Sequence, residues 1–153
     1  MVDILEFKDK WTVAGRCFRS IDDAKKFRNR INRNFEKWEK YELHLKEGTD
    51  LGEKGNYDDA ISKLRDAIEY YPLDEMAYFR RGCIYLKKDE YFKAIKDFSW
   101  AIRFSCYDVV CADYYSFRAH AYQMVNMYDE AKADENKANE QRYITRLYRA
   151  LKT

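Results

Sequence analysis

Residues 75–108 read EMAYFRRGCIYLKKDEYFKAIKDFSWAIRFSCYD, and the rest of the chain is organised around them. The first half puts Tyr78, Gly82 and Tyr85 on one face, at helical spacings of four and three. The second half does the same with Ala94, Phe98, Ala101 and Ile102. Between them Lys87-Lys88-Asp89-Glu90 is a polar break, in which Asp89 is placed to cap the second helix. Gly82 and Ala94 are small residues on apolar faces, where two helices can approach and cross. The stretch predicts a helical hairpin packed through those two positions.

The pattern recurs on both sides. Moved back 34 residues, Gly82, Tyr91, Ala94, Ile95, Ala101 and Ile102 fall on Gly48, Tyr57, Ala60, Ile61, Ala67 and Ile68. Pro72 closes that unit, since a proline stops a helix. Moved forward 37 residues, Tyr78, Arg81, Gly82 and Tyr85 fall on Tyr115, Arg118, Ala119 and Tyr122. Tyr91, Ala94, Asp97 and Ala101 then fall on Tyr128, Ala131, Asp134 and Ala138. The longer offset is expected as an extended turn around Val109-Val110-Cys111. Three units at 41–74, 75–108 and 112–145 result, and their aromatic–Gly–Tyr then Ala–Phe spacing resembles the tetratricopeptide repeat. The resemblance implies an all-α fold, a right-handed superhelix of helix pairs. The first unit departs from the family at His44 and Glu47. The third carries Lys132, Glu135 and Asn139 where the middle unit has Ile95, Phe98 and Ile102, as a terminal repeat with no following neighbour requires.

The flanks read differently. Residues 1–20 form a hairpin-like segment in which Trp11-Thr12-Val13 and Cys17-Phe18-Arg19 flank a turn at Ala14-Gly15, with Trp11 opposite Phe18. Ser20 then starts a helix. Residues 21–40 form a basic amphipathic helix running into the first repeat. Its apolar stripe is Ala24, Phe27, Ile31, Phe35, Trp38, Tyr41 and Leu45, and its other face carries Lys25, Lys26, Arg28, Arg30, Arg33, Lys37 and Lys40. Residues 146–153 end the last helix, either folding back as a cap or reaching another molecule.

A net charge of +2 gives no global pull toward nucleic acid or membrane, and no apolar run approaches a spanning length. Without a signal-like start, the chain is expected in the cytoplasm. Cys17, Cys83, Cys106 and Cys111 form no close pair, so reduced thiols are expected rather than a metal site, even with His120 nearby in sequence. No nucleophile with a base, paired acids or phosphate loop stands out. His44 is expected to be structural, and Arg81–Asp97 and Arg118–Asp134 are expected as ion pairs between adjacent helices, worth about 0–1 kcal/mol if exposed. Neither enzymatic activity, a cofactor nor a small-molecule substrate is expected.

On the resemblance, the first helices line a concave groove that takes a partner's peptide or helix. Its residues would be Leu45 and Thr49, then Met76, Phe79, Arg80, Cys83 and Leu86, then Phe117, His120 and Met124. Glu42, Lys46, Glu53, Lys87, Asp113, Ser116 and Gln123 lie beside them. One subgroup of the family grips the C-terminal carboxylate of Hsp70 and Hsp90 with Lys and Asn, then Asn, then Lys and Arg. Here those places hold Leu45 and Thr49, then Arg80, then Asp113 and Phe117, so the clamp is absent. The expected function is a non-enzymatic protein-interaction module, an adaptor or chaperone-like scaffold. The alternatives are a secretion-type chaperone of the same family, or a nucleic-acid-binding protein using the basic helix.

Overall fold

The computed structural model describes residues 20–105 and 112–151, with the backbone alone of residues 5–7, 10–13 and 16–18. Among these residues six helices follow in order: α1 (Ile21–Glu53), α2 (Tyr57–Tyr70), α3 (Glu75–Lys87), α4 (Tyr91–Phe104), α5 (Ala112–Met124) and α6 (Tyr128–Ala150). Ahead of them the backbone of β1 (Leu5–Phe7), β2 (Lys10–Val13) and β3 (Arg16–Phe18) pairs antiparallel in the order β1-β2-β3, with Trp11 registered against Phe18. The turn at Ala14-Gly15, the side chains of Trp11 and Phe18, and the extended turn at Val109-Val110-Cys111 lie outside the described residues.

Consecutive helices pack in sequence, and α1 also meets α3 as α3 meets α5. Small residues set how closely the two helices of each unit pack. A Cβ on Gly48 would lie 2.7 Å from Leu64 Cγ, and one on Gly82 would lie 2.7 Å from Phe98 Cε1. In the third unit the same pair of places holds buried Ala119 and exposed Glu135, and among the described residues no helix packs over Glu135. A second contact joins units: a Cβ on Gly52 would fall 2.2 Å from Ile84 Cδ1. One unit later the sizes are exchanged, and the larger Leu86 packs against a cluster containing the smaller Ala121.

The core is therefore continuous from unit to unit. Ala60, Ile61 and Leu64 of the first unit cluster with Ile84 of the second, and Tyr41 and Ala67 cluster with Ala77. Ala94 and Phe98 cluster with Ala121 of the third. Leu64 and Phe98 are the largest fully enclosed side chains, each worth about 1.5–3 kcal/mol of apolar burial.

The turn inside each unit is built on one device. Gly55, Asp89 and Asn126, equivalent by the 34- and 37-residue offsets, all have positive φ, at 84°, 58° and 62°. Glycine, Asp and Asn are the residues that tolerate this left-handed backbone. Asp89 does not cap α4: the N-cap is Glu90, with no side-chain cap bond. The Asp89 carboxylate instead accepts the Tyr91 O–H at 2.6 Å, and Asn126 accepts the Tyr128 O–H at 2.7 Å. The left-handed backbone turns Asp89 away from the α4 amides, which is why the cap reading fails. Asp74 does cap its helix, accepting the Met76 N–H at 3.0 Å and the Tyr41 O–H at 2.5 Å. Burial and the Asp74 carboxylate push the Tyr41 phenol upward from its ordinary value.

Ion pairs mark a second repeated position. Arg81 donates through Nε and Nη2 to Asp97 at 2.7 and 2.8 Å, and Arg118 does the same to Asp134 at 2.7 and 2.8 Å. Arg118 also donates to Ser99 Oγ at 2.9 Å, tying α5 to α4. Asp97 and Asp134 are only 3% and 6% exposed, so these are enclosed bidentate pairs rather than surface pairs. At the same sixteen-residue spacing the first unit carries a half-exposed pair of opposite polarity, Lys63 to Glu47 at 2.7 Å. The hydrogen bond from Lys63 lowers the Glu47 carboxyl, and Glu47 raises the Lys63 ammonium.

The outer helices depart from expectation. With no glycine or proline from Ile21 to Glu47, α1 is one helix, started by Ser20 accepting the Asp22 N–H at 3.1 Å. Its stripe is not buried throughout: Ala24 and Tyr41 are enclosed, but Phe35 and Trp38 are each 49% exposed because no helix lies over them. His44 stacks on Tyr70 at 5.7 Å, as a packed histidine. The end of α6 does not fold back. It continues as helix with Tyr143, Leu147 and Leu151 exposed.

Candidate functional site

Stacking α1 on α3 and α3 on α5 sets the first helices of the units side by side as one wall. Between α1 and α3 this wall has a recess lined by Thr49, Gly52, Glu53, Arg80, Cys83 and Lys87, floored by Leu64 and Ile84. Gly52 opens it: without a side chain there, the backbone carbonyl is reachable, and Lys87 Nζ donates to it at 3.4 Å. Thr49 turns its hydroxyl onto its own helix, donating to the Leu45 carbonyl at 2.8 Å, which leaves its methyl for the recess. Arg80 is exposed at the rim. Burial pushes the Cys83 thiol up to about 11, so it enters the recess as a neutral, weakly polar wall atom.

The expected groove residues divide into three groups. Thr49, Arg80 and Cys83 come together in this recess. Leu45, Phe79 and Leu86 are half-buried against core clusters. Phe79, expected as a groove residue, is the main correction. In fact its ring lies 5.8 Å from Phe98, 4.8 Å from Tyr114 and 5.4 Å from Phe117. It joins units two and three. Phe117, 40% exposed, is the outer edge of that aromatic cluster. Met76 is half-buried in the first turn of α3, and Met124, the last residue of α5, is 48% exposed.

His120 belongs to a different recess, between α5 and α6, with Ser116, Gln123, Glu135, Asn139 and Arg142. Its polar neighbours are tied to one another: Arg142 donates to Ser116 Oγ at 2.8 Å and Gln123 to Glu135 at 2.7 Å. It therefore does not share a site with Thr49 and Arg80. Two features of the wall went unread in the sequence. The Glu47–Lys63 pair was findable from its sixteen-residue spacing. The Gly52–Ile84 contact was not, because it requires knowing which helix stacks on which.

No family model matches the sequence. Solved structures do match. The second TPR of Spaghetti (RPAP3), bound to the HSP90 peptide SRMEEVD, superposes with a TM-score of 0.66 at 22% identity, over 72% of this chain and 98% of that one. The Arabidopsis OM64 TPR domain gives 0.62 at 20% identity, over 67% and 82%. The crystal structure of MamA gives 0.66 at 24% identity, over 71% of this chain and 61% of that one. The chain has the tetratricopeptide-repeat fold. Among the described residues, no helix is long and apolar enough to cross a membrane.

Proposed function

We propose that the chain is a non-enzymatic protein-interaction module, an adaptor or chaperone-like scaffold of the cytoplasm. It takes an extended peptide or a helix of a partner along the wall of α1, α3 and α5, on the inner side of a right-handed superhelix. The observation that supports this most is the recess between α1 and α3. It offers an apolar floor (Leu64, Ile84), a cation at each side (Arg80, Lys87) and one carboxylate (Glu53) within one concavity. An apolar anchor with a few placed polar groups is what peptide side chains need. The neighbour bound to SRMEEVD makes peptide binding the natural reading of the same fold. The specificity here differs, because the carboxylate-clamp places hold Leu45, Thr49, Arg80, Asp113 and Phe117. Leu45 is packed into the core, and Phe117 into the aromatic cluster.

Two titrations test this. SRMEEVD should not bind measurably, with any dissociation constant above about 1 mM. Peptides selected from a random library on the intact chain should bind it, and Arg80→Glu should weaken them about tenfold or more without moving the melting temperature. Tight binding of SRMEEVD would contradict the missing clamp. Selected peptides indifferent to Arg80→Glu would contradict the recess.

A further inference from the structure

The helix α1 has 33 residues and its partner α2 only 14, so α1 outruns it. Tyr70, the last residue of α2, stacks on His44. In line with His44, and past that end of α2, α1 carries Lys26, Arg30, Arg33, Lys37 and Lys40. Steps of four, three, four and three keep all five within an arc of about 80° over about 21 Å of helix. Every one of them is exposed. From Lys26 to Lys40 the acids are Glu36 and Glu39, which point about 80° and about 140° from the midline of that arc. Among the described residues none of the five cations is in an ion pair. Their contacts are with neutral groups. Arg30 lies over the Phe27 ring at 5.1 Å, Arg33 Nε donates to the Asn29 carbonyl at 3.4 Å, and Lys40 lies over the Tyr70 ring at 5.9 Å. The stripe therefore keeps its positive charge.

The far side of this part of α1 is already used: Ala24 is enclosed, and Phe27 and Ile31 are half-buried. A helix lying in a membrane surface needs that apolar face free. One large apolar side chain stands open beside the cations. Trp38 is 49% exposed, and the Phe35 ring backs it at 6.3 Å. It sits about 80° round the helix from Arg30, with Asn34 between them. We propose that this stripe holds the phosphates of single-stranded nucleic acid and that Trp38 stacks on a base beside them. A polynucleotide carries a charge on every residue and a π face next to it, which a line of cations beside an indole matches. A run of carboxylates offers the charge without a base to stack. The proposal goes beyond peptide binding and does not rest on it, because Thr49 of the peptide wall lies about 140° round α1 from the stripe.

Fluorescence anisotropy of a labelled oligothymidylate, about twelve nucleotides long, titrated with the full chain tests the proposal. At about 50 mM salt the dissociation constant should be on the order of 10 µM, and its logarithm should change with that of salt by about 3.5, the value for five phosphates on a single strand. Lys37→Gln removes one phosphate contact and should reduce that slope by about 0.7. Trp38→Ala should weaken binding about fivefold or more and leave the slope unchanged, as loss of a stacked base does. Both side chains are exposed, and an unchanged melting temperature checks that each variant still folds. No binding by the wild type overturns the proposal. So does a slope that Lys37→Gln leaves as it was, or an affinity indifferent to Trp38→Ala. Equal or tighter binding to a duplex, to polyglutamate or to phosphatidylserine vesicles also overturns it, since charge alone would then explain the surface.

Discussion

Gly82, Gly52 and Gly55, three of the four described glycines, make distinct demands. At Gly82 a methyl would press on the edge of the Phe98 ring, a planar group enclosed on all sides, so Gly82→Ala should cost about 1–3 kcal/mol despite the better helix propensity of alanine. At Gly52 the nearest obstacle is the end of the Ile84 side chain, Cδ1 with Cγ1 behind it at 3.3 Å, which can rotate, so Gly52→Ala should cost less. At Gly55 a Cβ meets nothing, and the cost comes from φ of 84°, about 1 kcal/mol. Thermal melts of the three variants should rank them Gly82 first. A stabilised Gly82→Ala would mean that α3 and α4 are not in contact there. Cys83 makes a separate prediction. With its thiol raised to about 11 from an ordinary 9.0, stability linked to the neutral form is complete below pH 9 and is lost as pH rises through the folded value. Alkylation of Cys83, followed by peptide mass spectrometry, should be slow at pH 8 and accelerate on unfolding. Rapid labelling of the folded chain would place the thiol in solvent.

Between elements, the repeat-spaced ion pairs are the sharpest contrast. Removing one partner of an enclosed pair leaves a buried charge, so Asp97→Asn should cost about 3–5 kcal/mol. The half-exposed pair in the first unit is a surface interaction, and Lys63→Gln should cost at most about 1 kcal/mol. Urea melts compare the two directly, and equal losses would contradict the burial difference. Phe79 belongs at this scale too. Phe79→Glu places a charge among Phe98, Tyr114 and Phe117, and is expected to lower the melting temperature sharply; an unchanged melt would return it to the peptide wall.

That residue also shows where the sequence stopped being legible. The unit offsets, the Arg–Asp pairs and the polar last unit were readable, because each depends on spacing along the chain and not on which helix stacks on which. A periodic stripe gives a helix one buried face. In a solenoid a first helix has more, one toward its own partner and others toward its neighbours, so Phe79 looked free while it was filling the gap between units. The reverse error fell on Phe35 and Trp38. Their spacing marks them as buried, but they sit on a part of α1 that no helix covers. The groove suffered similarly. Thr49, Arg80 and Cys83, expected together on the resemblance, line one recess, whereas His120 lines another because the α5–α6 crossing, not the repeat phase, decides which recess it enters.

At the scale of the molecule, no unit encloses a core alone, since each cluster draws a residue from the next unit's first helix. A chain ended after Ser105 would uncover Phe98 and Ala94, and is expected to lose its cooperative melt and to aggregate. The stacking that shares the core also builds the wall, so folding and recognition rest on the same arrangement of α1, α3 and α5. The most direct test of that account is a backbone amide chemical-shift map of the full chain titrated with a library-selected peptide. The account predicts perturbations concentrated at Thr49, Gly52, Arg80, Cys83 and Lys87 and extending along α5. Perturbations confined to the outer faces of α2, α4 and α6, with those residues unmoved, would contradict it.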